Sequence, residues 1–318
     1  MVAGVAAAVA LLMALAGCGV GQGSAVTVGE HDVIRVGVIP VADFAPVYIA
    51  IDTGLFAEEG LTVKAQVMQN AAAIAPAVIN GQLHFGTSAQ TPFLTATQKG
   101  LPLKAVANSA DTGTGPADDA SALMVAAGSS INRPRDLEGK VVAVNALNSI
   151  IHVAAAASVR EDGGDPAKVS FVAMPLPEMA QAVAGGRVDA ASLVEPFVAA
   201  GASLGNRTIA YPYTTAFKHE ATYGLVFAAG PFIDKNPAIV RKFVSALGKA
   251  SDIAANDPDE VRRVLVKYGK LKPETAEAMR LPHFSNRLDA TALTEAADLM
   301  ADLGFLPEPV ATEGLVWK

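Results

Sequence analysis

The 318-residue chain has a single cysteine, Cys18. A lone thiol excludes an internal disulfide, so the fold must hold by its core alone. Positive charge is also scarce. Its 24 Lys and Arg stand against 31 Asp and Glu, for a net charge of −7, and no basic cluster interrupts the chain. That balance excludes nucleic acid as a natural partner. The five histidines, at 31, 84, 152, 219 and 283, are scattered without an i, i+4 pair, which leaves no legible metal site. No phosphate loop ending in Gly-Lys-Ser/Thr is present, and no Ser sits in a nucleophile elbow. Asp-Thr-Gly occurs twice, at 52–54 and 111–113, but the first closes a helical pattern and the second lies in the Gly-rich stretch DTGTGPADD. An aspartic protease needs both in matching hairpins. The residues show no arrangement for making or breaking covalent bonds and no cofactor motif.

Apolar residues are plentiful, at 51%, which supplies a large core, and the length suggests two domains. The apolar run 2–17 is too short to span a bilayer comfortably and ends in small residues. Leu15-Ala16-Gly17-Cys18 resembles the bacterial lipoprotein signal. That resemblance implies that 1–18 is a signal, that Cys18 is lipidated, and that the product sits outside the cytoplasm on a membrane anchor. The Lys or Arg usual ahead of such a run is missing. Residues 19–32, opening GVGQGSAVTVGE, read as a flexible tether.

Beyond the tether, β-rich runs at 33–39, 61–67, 84–86 and 103–108 alternate with helical patterns at 45–56, 71–80 and 91–99. The cycle then restarts with strand 141–145, helix 149–161, strand 169–173, helix 177–184 and strand 188–192. Such alternation predicts an α/β fold of mostly parallel sheets wound on both sides. The two rounds also share their wording. RVGVI at 35 matches VVAVN at 141, QLHFGT at 82 matches RVDAAS at 187, and both NGQLHFGTSAQTPF (80–93) and AGGRVDAASLVEPF (184–197) run on to Pro-Phe. The near-constant offset predicts two lobes of like winding. After residue 232 helix follows helix, at 237–255, 258–268, 273–279 and 289–303. Asp257 is placed to cap, Pro258 suits the first turn, and Glu260 would complete a capping box.

Read in order, Val36-Gly37-Val38, Pro46-Val47-Tyr48-Ile49-Ala50, Gly54-Leu55-Phe56, Glu59-Gly60-Leu61-Thr62-Val63, Gly81-Gln82-Leu83-His84-Phe85-Gly86, Asp136-Leu137-Glu138-Gly139-Lys140, Gly186-Arg187-Val188-Asp189-Ala190 and Glu195-Pro196 form a connected set. Together they resemble the substrate-binding proteins of ABC importers for nitrate, sulfonates, taurine and thiamine-precursor pyrimidines. The resemblance covers about 33–305, with Asn236-Pro237 and Asn256-Asp257-Pro258 in its tail. His84 departs from the acidic residue usual there, and Asp189, at the equivalent place, is read as structural. The resemblance implies a two-lobed periplasmic-binding-protein fold of type II, with a cleft between the lobes and two hinge crossings. Lobe one is then 33–110 plus 224–318, lobe two 123–212, and the crossings lie near 109–122 and 212–224. The implied function is capture of a solute by hinge closure and delivery, by a monomer, to an ABC permease and ATPase. Alternatives on the same fold are a thiamine-pyrimidine synthase, a menaquinone-pathway dehydratase, or a sensor that binds without transport. Both enzymes are cytoplasmic, which a genuine lipoprotein signal excludes.

On this fold ligands sit at the carboxyl ends of strands, next to helix N-termini. The candidate ligand-binding residues follow. Asp43 and Phe44, after the first strand, could accept hydrogen bonds and stack. Ser88, Ala89 and Gln90 open the helix at 91, and Asn145, Asn148 and Ser149 open the helix at 149. Glu195, before Pro196, could hold an amine, and Tyr223 follows the second crossing. None of these loops carries Lys or Arg. A Glu in a closed cleft would repel a bare anion, at roughly 4 kcal/mol against about 1 in water. The expected ligand is therefore a neutral or cationic, nitrogen-bearing organic molecule. A zwitterion such as taurine stays open, with its amine on Glu195.

Overall fold

The computed structural model describes residues 27–29 and 32–318. The expected signal, Cys18 and most of the tether lie outside the described residues. Among the described residues, ten strands form two five-stranded sheets. The first holds β1 (Val33–Val38), β2 (Thr62–Val67), β3 (Phe85–Ala89), β4 (Leu103–Asp111) and β10 (Thr222–Ala229) in the order β2-β1-β3-β10-β4. The second holds β5 (Ser121–Val125), β6 (Val141–Val144), β7 (Ser170–Ala173), β8 (Ala190–Val194) and β9 (Arg207–Ala210) in the order β7-β6-β8-β5-β9. The two orders are the same pattern. β1 pairs in parallel with β2 and β3, as β6 does with β7 and β8. In each sheet one strand runs antiparallel between two others: β10 between β3 and β4, β5 between β8 and β9.

The sequence repeat maps onto this symmetry. Val36 pairs with Phe85 and Gly37 with Gly86 in the first sheet, and Val142 with Ala190 and Ala143 with Ala191 in the second. Equivalent positions of the two sheets stand 106 residues apart on β1 and β6 (Val36 and Val142) and 105 apart on β3 and β8 (Phe85 and Ala190), as the repeat predicts. The chain passes from the first sheet to the second between β4 and β5, and returns between β9 and β10. The two passages are tied to each other. Thr112 Oγ1 donates to the Lys218 carbonyl at 2.5 Å and accepts from the Ala221 N–H at 3.1 Å. Asp119 accepts from the Ser121 hydroxyl at 2.6 Å and the Thr214 N–H at 2.7 Å.

Local chemistry explains most element ends. The pattern at 45–56 divides into helices Ala45–Asp52 and Leu55–Glu58, because Gly54 turns with φ +82°, where glycine carries no penalty. The Asp257 side chain accepts from the Glu260 N–H at 3.0 Å, as a cap should. The Glu260 carboxylate does not reach back to complete the box; it is taken by Arg263, at 2.6 Å. The C-terminal helices dock on the first sheet. Phe243 stacks on Phe85 with centroids 3.8 Å apart and on Phe56 at 4.9 Å. Asp52, in the first Asp-Thr-Gly, serves this docking too, accepting from Arg263, Lys267 and the Tyr268 hydroxyl. No helix among the described residues is long and apolar enough to cross a membrane.

Candidate functional site

A cavity of about 370 Å³ opens where the strand tips of the two sheets meet. Pro40, after β1, and Met68 and Asn70, after β2, form one wall. Asn145, after β6, Met174, after β7, and Phe197, after β8, form the other. Carboxyl ends of parallel strands collect loops and helix N-termini, so both sheets contribute by the same rule. The volume lies in the range of small-molecule sites. A larger cavity, about 550 Å³, lies where the segment Met279–Phe284 passes Ala117 and Asp118, and no strand end contributes to it. Strand-tip chemistry therefore favours the smaller one.

The structure distributes the ten sequence-predicted residues unevenly. Asn145 lines the interlobe cavity, and its buried Oδ1 accepts no hydrogen bond. Asn148 lines a separate hollow of about 210 Å³ against helices Ala71–Ile79 and Gln90–Gln98. Its φ is +63°, and its N–H donates to His152 Nδ1 at 3.0 Å. Burial pushes His152 down to about 4, so the ring stays neutral and can accept. Ser149 begins helix Ile150–Glu161 with its hydroxyl buried and unpartnered.

Asp43 is buried and does not line the cavity. Its Oδ1 accepts from the Tyr223 hydroxyl at 2.8 Å, and its carbonyl accepts from Ser109 Oγ at 2.7 Å. Burial raises the carboxyl to about 7, against the lowering effect of the Tyr223 bond. The Tyr223 ring lies 4.7 Å from Tyr213, whose hydroxyl is buried and unpartnered. Phe44 is 1% exposed and belongs to the core. Ser88 is buried in β3 and donates to the Ala89 carbonyl at 2.8 Å. Gln90, at the tip of β3, is engaged within the protein, with its amide nitrogen 3.1 Å from the carbonyls of Thr222 and Ala292.

Glu195 sits at the end of β8, and its carboxylate is occupied from within the protein. Oε2 accepts from the Ala199 N–H and Oε1 from the Arg280 N–H, both at 3.0 Å. Its carbonyl accepts from the Ala42 N–H at 3.1 Å, next to Asp43. Burial raises this acid also to about 7. Glu195 thus joins the second sheet to the β1 loop and to the C-terminal segment. Two acids with raised values meet at one junction between the sheets.

A family model described as NMT1/THI5 like matches residues 41–261. The chain belongs to this family. A search of the curated proteins found no match. Among solved structures, the chain is similar to the alkanesulfonate-binding protein SsuA from Xanthomonas axonopodis pv. citri, bound to MOPS. Identity is 20%, the match covers 91% of this chain and 99% of that one, and the TM-score is 0.77. A ligand-binding component of an ABC-type import system from Staphylococcus aureus matches at 16% identity, covering 90% and 97%, with a TM-score of 0.77. The periplasmic nitrate-binding protein NrtA from Synechocystis PCC 6803 matches at 14%, covering 88% and 83%, with a TM-score of 0.74. These likenesses establish the two-lobed, type II periplasmic-binding-protein fold.

The sequence reading missed Met68, Met174 and Phe197 in the cavity and the buried Tyr213. A signal for three of them was present. Each follows directly on a β-rich run or on the Glu-Pro pair, at the carboxyl end where ligands collect.

Proposed function

We propose that the protein is an extracytoplasmic binding protein that captures one small organic solute between its sheets and presents it to an ABC importer. The observation that carries this reading is the cavity walled by strand tips of both sheets. A ligand touching both walls favours the closed arrangement by its differential contacts. The crossings near 109–122 and 212–224 act as the hinge, with 33–110 plus 224–318 as one lobe and 123–212 as the other. Family membership and the likeness to import-system binding proteins support the transport role. In this reading Cys18 carries a lipid that holds a monomer at the membrane, and the protein binds without chemistry.

Native mass spectrometry tests the proposal. The purified chain, incubated with extract of the cells that make it, should gain the mass of one small organic molecule, released on denaturation. A chain that stays at its bare mass after that incubation counts against solute capture.

A further inference from the structure

The walls of the interlobe cavity say more about its occupant than that it is small. We propose that the cavity is built for an uncharged organic molecule with an apolar body and an N–H or O–H donor, and against oxyanions. This rests on the solute-binding reading above and narrows it.

Three observations carry the inference. First, no ionisable side chain among the described residues lines the cavity. Its polar groups are three carboxamides, Gln69, Asn70 and Asn145, and its body is thioether, ring and aliphatic surface from Met68, Met174 and Phe197. An ion moved into such a space loses its water and finds no counter-charge. An apolar body loses nothing by the move, and methionine adapts its shape to a flat or branched occupant.

Second, each helix N-terminus that reaches the cavity already has one backbone N–H held by an oxygen of the protein. Backbone N–H groups there would ordinarily attract an anion. Asn70 caps helix Ala71–Ile79, its side chain accepting from the Ala73 N–H at 3.2 Å. Helix Phe197–Ser203 is capped from inside by the buried Glu195 carboxylate, at 3.0 Å from the Ala199 N–H. Helix Leu176–Ala184 has Pro177 in its first turn, which has no N–H, and the Glu178 N–H is taken by the Pro175 carbonyl at 2.9 Å. An oxyanion here would have to compete with an oxygen already in place at each of the three ends, a side-chain oxygen at two and the Pro175 carbonyl at the third. Lys99, the cation among the residues lining these two hollows, borders the separate one beside Asn148.

Third, Asn145 Oδ1 is buried at the cavity without a donor. A buried carbonyl oxygen left unpaired is costly, and a ligand N–H or O–H would satisfy it. A sulfonate, carboxylate or nitrate offers no such proton.

The test uses the full chain, freed of bound solute by reversible unfolding, and four probes of one shape: benzamide, benzoate, benzenesulfonate and benzamidinium. Calorimetric titration at low ionic strength should rank benzamide at least about tenfold tighter than either anion and than the cation. Asn145→Ala should weaken benzamide by about tenfold and leave the anions unchanged. Met174→Arg, at a half-buried position, should reverse the order. If benzenesulfonate or benzoate binds as tightly as benzamide, the uncharged-ligand proposal is overturned while solute capture stands. If no probe binds, the molecule released in the mass measurement above decides: an uncharged one upholds the proposal and an ion overturns it. A chain that binds no probe and releases nothing overturns both readings.

Discussion

The two sheets solve the same local problems with different residues, and the differences show what each position demands. At the approach to β3, the Arg35 N–H donates to His84 Nδ1 at 2.9 Å while the His84 N–H donates back to the Arg35 carbonyl at 2.9 Å. At the approach to β8, the Val141 N–H donates to Asp189 Oδ2 at 2.8 Å and the Asp189 N–H to the Val141 carbonyl at 2.9 Å. The position requires an acceptor, not an acid. An imidazole serves as long as it is neutral, and burial, assisted by the Arg35 charge, holds His84 down at about 4. Two residues further along, the pair Gly37 and Gly86 of the first sheet stands where the second has Ala143 and Ala191. A Cβ on Gly86 would lie 2.3 Å from Ile74 Cγ2, so the first sheet uses glycine to seat its helix closer. At the strand tips Gln90 and Glu195 both reach the C-terminal segment, one by donating to carbonyls and the other by accepting from N–H groups. Opposite polarity in the partners dictates an amide in one lobe and a carboxylate in the other.

Exchanging these solutions between lobes gives graded tests. The largest effect is expected at Glu195. Glu195→Ala leaves two N–H groups without an acceptor in a buried junction and should cost about 4 kcal/mol of unfolding free energy. Urea denaturation at pH 8 measures it. A loss within experimental error would show that Glu195 is free for a ligand, as the sequence alone suggested. Next comes acid. His84 binds its proton less readily folded than unfolded, so its contribution is present above pH 6.5 and is lost as pH falls toward about 4. The loss should be about 3 kcal/mol. His84→Asp, which copies the second lobe, should fold and should remove that part of the acid sensitivity, leaving the share of His152. A variant with an unchanged pH profile would break the equivalence of the two positions. Gly86→Ala, which copies Ala191, should destabilise by about 2 kcal/mol because Ile74 and the Phe227 ring must move.

The same contrasts explain what was legible beforehand. Alternation and the repeat sufficed for the two wound sheets, since β1, β3, β6 and β8 carry the shared wording. The strands β5, β9 and β10 were not seen. SALMV at 121–125 is a short apolar run without alternation, which periodicity cannot assign, and β10 begins inside a stretch read as a crossing. In the site, the strand-tip rule led to Asn145. The same rule placed Glu195 at the end of β8, but its partner Arg280 lies 85 residues away in sequence, and no local pattern shows that the carboxylate is already engaged. Phe44 read as a possible stacking group because a loop aromatic and a core aromatic look alike until burial is known.

The smallest expected effect bears on the loops rather than the sheets. Asn148, in the loop after β6, holds φ +63°, and its neighbour Ser149 opens helix Ile150–Glu161; in the equivalent loop after β1, which leads to helix Ala45–Asp52, none of the residues 40–46 has a positive φ. The second lobe alone therefore uses a left-handed turn at this point. Glycine adopts that conformation freely, and the bond to His152 Nδ1 comes from the Asn148 backbone, not its side chain. Asn148→Gly should change stability by only a few tenths of a kcal/mol, whereas Asn148→Val, with a branched side chain at positive φ, should cost about 1 kcal/mol or more. If glycine costs as much as valine in thermal melting, the Asn148 side chain holds the turn, and the loop is shaped by a contact beyond backbone geometry.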